Sequence, residues 1–327
     1  MYKPPFTISN EMLNKSISIS QKIERISSFN NLKRMPTLRR NNRIKSIHSS
    51  LAIEANSLSL DQVRDVIDGK AVIGPKRDII EVQNAYKAYE MIESFNPFKE
   101  KDLLKAHGVI AYLIDKEYGR YRSHSEGVID ESGKVIHIAP SEKMVPTLMR
   151  DLFDWLNNDI DTPLLLKSCI FHYEFVFIHP FGDCNGRTAR LWQNLILNKW
   201  NINFEYIPLE SFIYKYQSEY YEAIDISNKA GNSDCFIKFM LDMIDKTLDD
   251  VLLSTSKEIK NISEQVNRLL EVMDKDIPLS ANEIMNRLGI KSKETLRGSY
   301  LNPALQNGLV KMTLPDKPNS KNQKYYK

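Results

Sequence analysis

Cysteine is scarce in this chain: three in 327 residues, at Cys169, Cys184 and Cys235. So sparse and odd a set excludes a disulfide scaffold, and its spacing holds no metal-ligand pattern. A reducing compartment is therefore expected. Long apolar runs are missing too. None reaches the about 18 residues that a membrane span needs, and the polar, two-proline stretch from Met1 to Asn10 reads as no secretory signal. Charge of one sign is not in excess. The 45 Lys plus Arg against 42 Asp plus Glu leave +3, too little by itself to argue for nucleic-acid or membrane binding. There is no internal repeat and no long low-complexity segment. What remains, 42% hydrophobic and 27% charged residues, is ordinary globular usage, which excludes a largely disordered chain. The length suggests two domains at about 150 residues each. The expectation is a soluble cytoplasmic protein with no membrane contact.

Most of the sequence has helical spacing. Met12–Ile26 carries apolar residues at Leu13, Ile17, Ile19, Ile23 and Ile26. After a basic stretch from Asn30 to Arg43, further helices are predicted around Ile44–Ala52, Ser59–Ile67, Arg77–Glu93 and Lys101–Ile114. Others follow at Glu142–Asn157, Leu164–Ile178, Thr188–Trp200, Glu210–Asn228 and Cys235–Asn267. Trp155, Trp192 and Trp200 fall at core positions of such helices, and His107 and His172 read as structural. Two β-branched runs, Gly127-Val128-Ile129 and Val135-Ile136-His137-Ile138, flank Asp130-Glu131-Ser132-Gly133 and predict a β-hairpin. An unpartnered hairpin edge suits pairing with an extended peptide, as much as packing on the body. Beyond Asp274–Pro278 the pattern is helix (Ala281–Leu288), Gly289, helix (Ser292–Asn307), then strand-like Leu309–Leu314 and Gln323–Tyr326, the outline of a winged helix.

Chemistry concentrates in His179-Pro180-Phe181-Gly182-Asp183-Cys184-Asn185-Gly186-Arg187-Thr188-Ala189-Arg190. Pro180 and Gly182 interrupt the helix, so a loop opens a new helix near Asn185–Thr188. A helix N-terminus with unpaired N–H groups, approached closely at Asn185-Gly186, suits phosphate. Arg187 and Arg190, three apart, share a face and suit a polyphosphate. Asp183 fits one Mg²⁺ ligand beside phosphates, and His179 fits a base for an attacking hydroxyl. Each residue alone has a plainer structural explanation, Asp183 as an N-cap for instance. Their conjunction within twelve residues points to nucleotidyl or phosphoryl transfer.

This stretch resembles the Fic family signature: His-Pro-Phe, any residue, Asp or Glu, Gly-Asn-Gly-Arg, two residues, Arg. Eleven of twelve positions fit. Phe171–Phe175 resembles the preceding helix, and Gly119-Arg120-Tyr121-Arg122 with the hairpin resembles the family's target-positioning flap. The fold this implies is mainly α: a helical core with a β-hairpin flap, plus a C-terminal winged-helix domain. Its organisation would be an N-terminal helical region (1–100) with an inhibitory helix at about 44–56, a catalytic core (101–250), a connecting helix (251–275) and the winged helix (276–327). Within the core, the flap would occupy about 119–140 and the catalytic loop 179–190.

The implied activity is a protein adenylyltransferase, moving AMP from ATP with Mg²⁺ to a Ser, Thr or Tyr hydroxyl of a target protein, itself included. His179 would be the base and Asp183 the metal ligand. Cys184, Asn185 and Gly186 would form the anion hole, Arg187 would meet the γ-phosphate, and Arg190 would support the phosphates. Phe181 would anchor the loop. Tyr221 and Asn228 would line the nucleobase and ribose pocket, and Gly127, Val128 and Ile129 would position the target. Relatives often dimerise, so a homodimer is allowed.

The departure is Cys184, where the family nearly always has Gly. In left-handed backbone a side chain there costs about 1 kcal/mol. Beside two arginines at a helix start the thiol would be acidic and open to oxidation, although simple tolerance is the plainer reading.

Ser50-Leu51-Ala52-Ile53-Glu54-Ala55-Asn56 resembles the family's inhibitory motif, with Ala55 at a usual Gly. Glu54 would pair with Arg187 and take the guanidinium needed for the γ-phosphate. Two alternatives stand beside this reading. One is a hydrolase on the same fold removing AMP, and the other is a nucleotide-sensing DNA-binding regulator. At the C-terminus, Lys291, Lys293 and Arg297 would fit phosphate contacts in a DNA groove. Glu294 interrupts them, however, and protein contact is favoured.

Overall fold

The computed structural model describes residues 2–28, 36–129, 135–274, 277–306, 308–318 and 320–327. Part of the expected basic stretch (30–35), the hairpin's loop (130–134) and Asn307 lie outside them. The chain divides into two compact units, 1–251 and 252–327.

In the first unit α1 (Asn10–Ser28), α2 (Pro36–Ala52), α3 (Leu60–Ile67), α4 (Lys76–Glu90) and α5 (Glu100–Ile110) precede a two-stranded antiparallel hairpin, β1 (Gly127–Ile129) and β2 (Val135–Ile138). Then follow α6 (Val145–Asn158), α7 (Leu164–Ile178), α8 (Asn185–Trp200), α9 (Leu209–Lys215), α10 (Gln217–Ala230) and α11 (Asp234–Val272). α11 runs on into the second unit.

The centre of the first unit is α7 against α8. α7 is apolar all round, LLLKSCIFHYEFVFI, and a helix of that kind is stable only when wrapped by others. Phe171, Phe175, Trp155, Trp192 and Phe181 are fully buried around it. Trp192 donates its indole N–H to the Pro97 carbonyl at 3.1 Å. Trp200 is only half-buried and packs on Phe204, so it belongs to the rim rather than the core. Because α7 ends at His179 and α8 begins at Asn185, the expected chemical loop is the link between the two most buried helices.

The expected single helix Glu210–Asn228 is two, broken at Tyr216 (φ −115°). No glycine or proline marks that break in the sequence. The expected helix from Thr188 begins one turn earlier, at Asn185.

The second unit contains β3 (Leu279–Ser280), α12 (Ala281–Leu288), a helical run of α13 (Lys293–Thr295), a π-helical stretch (Leu296–Leu301) and α14 (Asn302–Gln306), then β4 (Lys311–Met312) and β5 (Lys324–Tyr326). The strands form one antiparallel sheet in the order β3-β5-β4. Two helical runs followed by two late strands match the order expected from the sequence, with β3 as an added strand. Ile284, Leu296, Leu301 and Ala304 are buried in its small core with Tyr325. α12 opens with a reciprocal capping box between Ser280 and Glu283 and closes at Gly289 in left-handed backbone. Ser280→Ala leaves the Glu283 amide of a short helix without its acceptor. It should destabilise this unit by about 1 kcal/mol, read as a lowered unfolding midpoint for the C-terminal unit in a denaturant titration.

Candidate functional site

The loop between α7 and α8 is built from the inside. The Phe181 ring stacks on His107 at 3.6 Å between centroids and only 3° between planes, with Tyr121 and Phe175 beside it. Asn185 closes the turn: its side-chain carbonyl accepts from the Phe181 amide (2.9 Å) and its amide group donates to the Phe181 carbonyl (2.7 Å). His107 locks the loop's other half. Gly119 N–H donates to Nδ1 at 3.0 Å, which leaves the ring proton on Nε2 to donate to the Asp183 carbonyl at 3.1 Å. Burial drives His107 down to about 4, so the ring is neutral.

Two residues of this loop take left-handed backbone. His179 (φ 50°) caps α7 and Cys184 (φ 65°) opens α8. Cys184 therefore carries the strain of a glycine position, about 1 kcal/mol. Its thiol is buried, and burial pushes the pKa up against the pull of Arg187. The expectation of an acidic, oxidisable thiol is thus corrected: the helix start and the arginines do not offset the lost hydration.

Asp183 is gripped from two sides. Arg77, at the start of α4, lies 2.5 Å from Oδ2, and Arg187 lies 2.9 Å from Oδ1. Burial would raise this carboxyl, but Arg187, the Cys184 N–H and Arg77 outweigh it and hold it below its ordinary value. Arg187 also pairs with buried Glu81 at 2.9 Å, and Glu81 in turn takes Arg77 (3.1 Å) and the Asn56 amide (2.8 Å). The periodicity of α4 gave no hint of Glu81 or Arg77. A carboxylate at a buried helical position was the one signal available.

Glu54 pairs with Arg190, not with the expected Arg187. The Arg190 guanidinium, fully buried, donates Nε to Ser50 Oγ (3.1 Å) and Nη2 to both the Ser50 carbonyl (2.8 Å) and Glu54 Oε1 (2.8 Å). Arg187 is not open to Glu54 because Asp183 and Glu81 already hold it. The local chain geometry delivers Glu54 there. α2 ends in a Schellman motif: Asn56 N–H donates to the Leu51 carbonyl and Ala55 N–H to that of Ala52, with Ala55 left-handed at φ 63°. Glu54 is the residue just before that reversal. Its carboxylate lies so close to Gly186 that a Cβ there would meet Oε1 at 2.2 Å, with Arg190 Nη1 at 3.0 Å. An anion thus sits on the first turn of α8, where N–H groups and the helix dipole favour one. Among the described residues Arg190 Nη1 makes no hydrogen bond.

Tyr221 donates to the Ile53 carbonyl at 3.2 Å, and Gln217, which sequence reasoning missed, donates to the same oxygen at 2.8 Å. α10 therefore grips the Glu54 turn. Asn228 accepts from Tyr173 at 3.0 Å on α7, so its contact is with that helix rather than with the loop.

The hairpin pairs Gly127 with Ile138, Val128 with His137 and Ile129 with Val135. Arg122 joins it to the loop. Its guanidinium donates to the carbonyls of His179 (2.8 Å), His124 (2.7 Å) and Pro140 (2.5 Å), and its backbone N–H donates to Pro180. It was visible in sequence only as part of Gly-Arg-Tyr-Arg. Among the described residues no group of three or more His, Cys, Asp or Glu could hold a metal ion, and no helix is long and apolar enough to cross a membrane.

Comparison with known proteins places this geometry in context. Residues 97–197 match the Fic/DOC family, and residues 264–326 match the Filamentation induced by cAMP protein Fic-like, C-terminal domain. A crystal structure of a Fic family protein from Desulfovibrio desulfuricans G20 is 40% identical with a TM-score of 0.76, covering 99% of this chain and 98% of that one. Curated proteins named Protein adenylyltransferase Fic are similar as well. The one from Drosophila willistoni is 29% identical over 69% of this chain and 44% of its own length, and the one from Nematostella vectensis is 29% identical over 64% and 49%. The chain spans about half the length of the curated relatives it matches.

The neutral His107 makes the loop acid-sensitive. Its folded pKa of about 4 lies below the unfolded value near 6.5. Its contribution is fully present above pH 6.5 and drains as pH falls toward 4, by about 3 kcal/mol in all. Thermal unfolding at pH 7, 5.5 and 4.5 should show a shallower pH dependence for His107→Gln than for the wild type, whatever the variant's stability at pH 7. Glu174, lifted by burial to about 7, drifts oppositely in both proteins and cancels in the difference.

Proposed function

The chain belongs to the Fic family, and from that premise we propose that it is a protein adenylyltransferase held in check by its own Glu54. The observation that carries this is the Glu54 carboxylate on Gly186, paired to a buried Arg190 at 2.8 Å. It marks an anion site already filled by an anion. The names borne by the curated relatives support the same reaction.

In this reading a target Ser, Thr or Tyr hydroxyl gives its proton to His179 while its oxygen bonds the α-phosphorus of ATP. The bond from that phosphorus to the bridging oxygen breaks, and pyrophosphate leaves with the electron pair. The backbone N–H groups of Asn185 and Gly186 face the phosphates at the start of α8, with Cys184 N–H steadying Asp183 at 2.5 Å. Arg190, once released by Glu54, meets the outermost phosphate through Nη1, which makes no hydrogen bond among the described residues. Arg187 has the different task of holding Asp183.

A magnesium ion, when bound, would offset charge on the α- and β-phosphates. Asp183 suits it: an ionised carboxylate, with the remaining shell from phosphate and water. Arg77 must then yield its place on Oδ2. Tyr221 and Asn228 on α10 would line the base and ribose side. The backbone of Gly127, Val128 and Ile129 would pair with the target segment, and Arg122 keeps that edge in register with His179.

Transfer of label from α-³²P-ATP with Mg²⁺ tests the reading. Glu54→Gly should raise self-labelling or labelling of a lysate at least about tenfold over the wild type. Adding His179→Ala should cut it by about 10² or more. Unchanged labelling in Glu54→Gly would end the inhibitory assignment, and full labelling in the double variant would end the role of His179.

A further inference from the structure

The chain's small net charge hides a segregation. Residues 277–327 hold nine Lys and Arg against three Asp and Glu, a net of +6, whereas residues 1–276 hold 36 against 39, a net of −3. Charge asymmetry of this kind within one chain points to a polyanionic partner for the basic part.

The surplus lies on a built surface. A groove of about 820 Å³ runs between the first turn of α12, the helical run that starts at Lys293, and Pro318, Ser320, Lys321 and Gln323 ahead of β5. Lys293 and Arg297 line its helix wall one turn apart, and Lys321 lines the wing wall. Lys293, Lys321 and Arg297 are exposed. Arg297 also reaches the wing, donating to the Pro318 carbonyl at 3.4 Å. Between the cations the groove offers short polar side chains: Asn282, Asn302 and Ser320. Gly298 faces open space, so the exposed side of this helix has no bulk to keep a partner's surface away.

We infer that this face of the C-terminal unit binds double-stranded DNA, with the Lys293–Gln306 helix in the major groove and Lys293, Arg297 and Lys321 on the flanking phosphates. A B-form major groove, about 12 Å wide, admits an α-helix, whereas the deep, narrow one of an RNA duplex does not, which selects DNA. Cations on helix and wing meet phosphates on either side of the inserted helix. Glu294, the carboxylate within this basic patch, lines the same groove from that helix. A carboxylate there repels phosphate but accepts from a cytosine amino group, so it serves base choice at the expense of bulk affinity.

The test is fluorescence anisotropy of a labelled 24-bp duplex of mixed sequence with the full chain, from 50 to 200 mM KCl. The wild type should bind at micromolar concentration at the low-salt end. Lys293→Gln/Arg297→Gln/Lys321→Gln should weaken binding at least tenfold and flatten the slope of log K against log salt by up to about 2.7, at 0.9 per lost phosphate contact. Lys87→Gln/Lys99→Gln/Lys101→Gln removes equal charge from exposed positions of the first unit and should change affinity less than twofold. Glu294→Gln should tighten binding to this mixed duplex. Circular dichroism of each variant checks folding. No binding by the wild type, equal losses in both triple variants, or tighter binding to an RNA duplex of the same length would each overturn the inference. A C-terminal variant that binds as the wild type would do so too, and would return the groove to a protein partner.

Discussion

Removing a guanidinium from water costs several kcal/mol unless its donors find acceptors in the protein. Arg190 is such a group, fully buried on α8, and its acceptors are the Ser50 hydroxyl, the Ser50 carbonyl and the Glu54 carboxylate. All three lie within five residues of chain, at the C-terminal end of α2. The pairing therefore fixes the end of one helix against the first turn of another. Around it lie the Ile53 carbonyl held from α10, Asn56 reaching Glu81, and Gly186 kept bare of a side chain. Replacing any one of these shifts the others, because each uses an atom within a residue or two of Glu54.

The site is balanced in charge as it stands. Arg77, Arg187 and Arg190 face Asp183, Glu81 and Glu54. A polyphosphate brings about four negative charges to that set, and the site would not hold them without change. In the proposed reaction two adjustments would answer the excess: departure of the Glu54 carboxylate and arrival of a divalent cation at Asp183. Glu81 is poorly suited to leave, being buried and triply engaged. Among the described residues Glu54 is tied to Arg190 through a single oxygen, Oε1, which makes it the movable member.

The loop from His179 to Arg190 was legible because its residues are consecutive, and Pro180, Gly182 and Asn185-Gly186 spell its backbone. The first helix of the C-terminal unit was legible from capping and glycine positions: Ala281–Leu288 and Gly289 fall where the sequence puts them. Pairings across the fold were not. Glu54 reads from the sequence as a partner for a loop arginine but could not be matched to the right one, since two candidates three residues apart differ only in what else surrounds them. Arg77 and Glu81 act through packing of α4 on the loop and Gln217 through α10 on the Glu54 turn, and nothing in their own helices' periodicity reports that. The break at Tyr216 carries no glycine or proline. The acidity expected of Cys184 followed from its neighbours in sequence and failed on burial, which sequence did not disclose.

Ala55 sits in left-handed backbone where the reversal after α2 would favour glycine. The strain, about 1 kcal/mol, is present only while the turn is formed. It is relieved the moment the last turn of α2 unwinds. By RT ln K, that amount multiplies the fraction of molecules with the turn open about fivefold over a glycine-bearing chain. Residue 55, which touches neither Gly186 nor Arg190 itself, therefore sets how often the Glu54 carboxylate leaves them: a methyl group there acts as a dial on the occupancy of the first turn of α8.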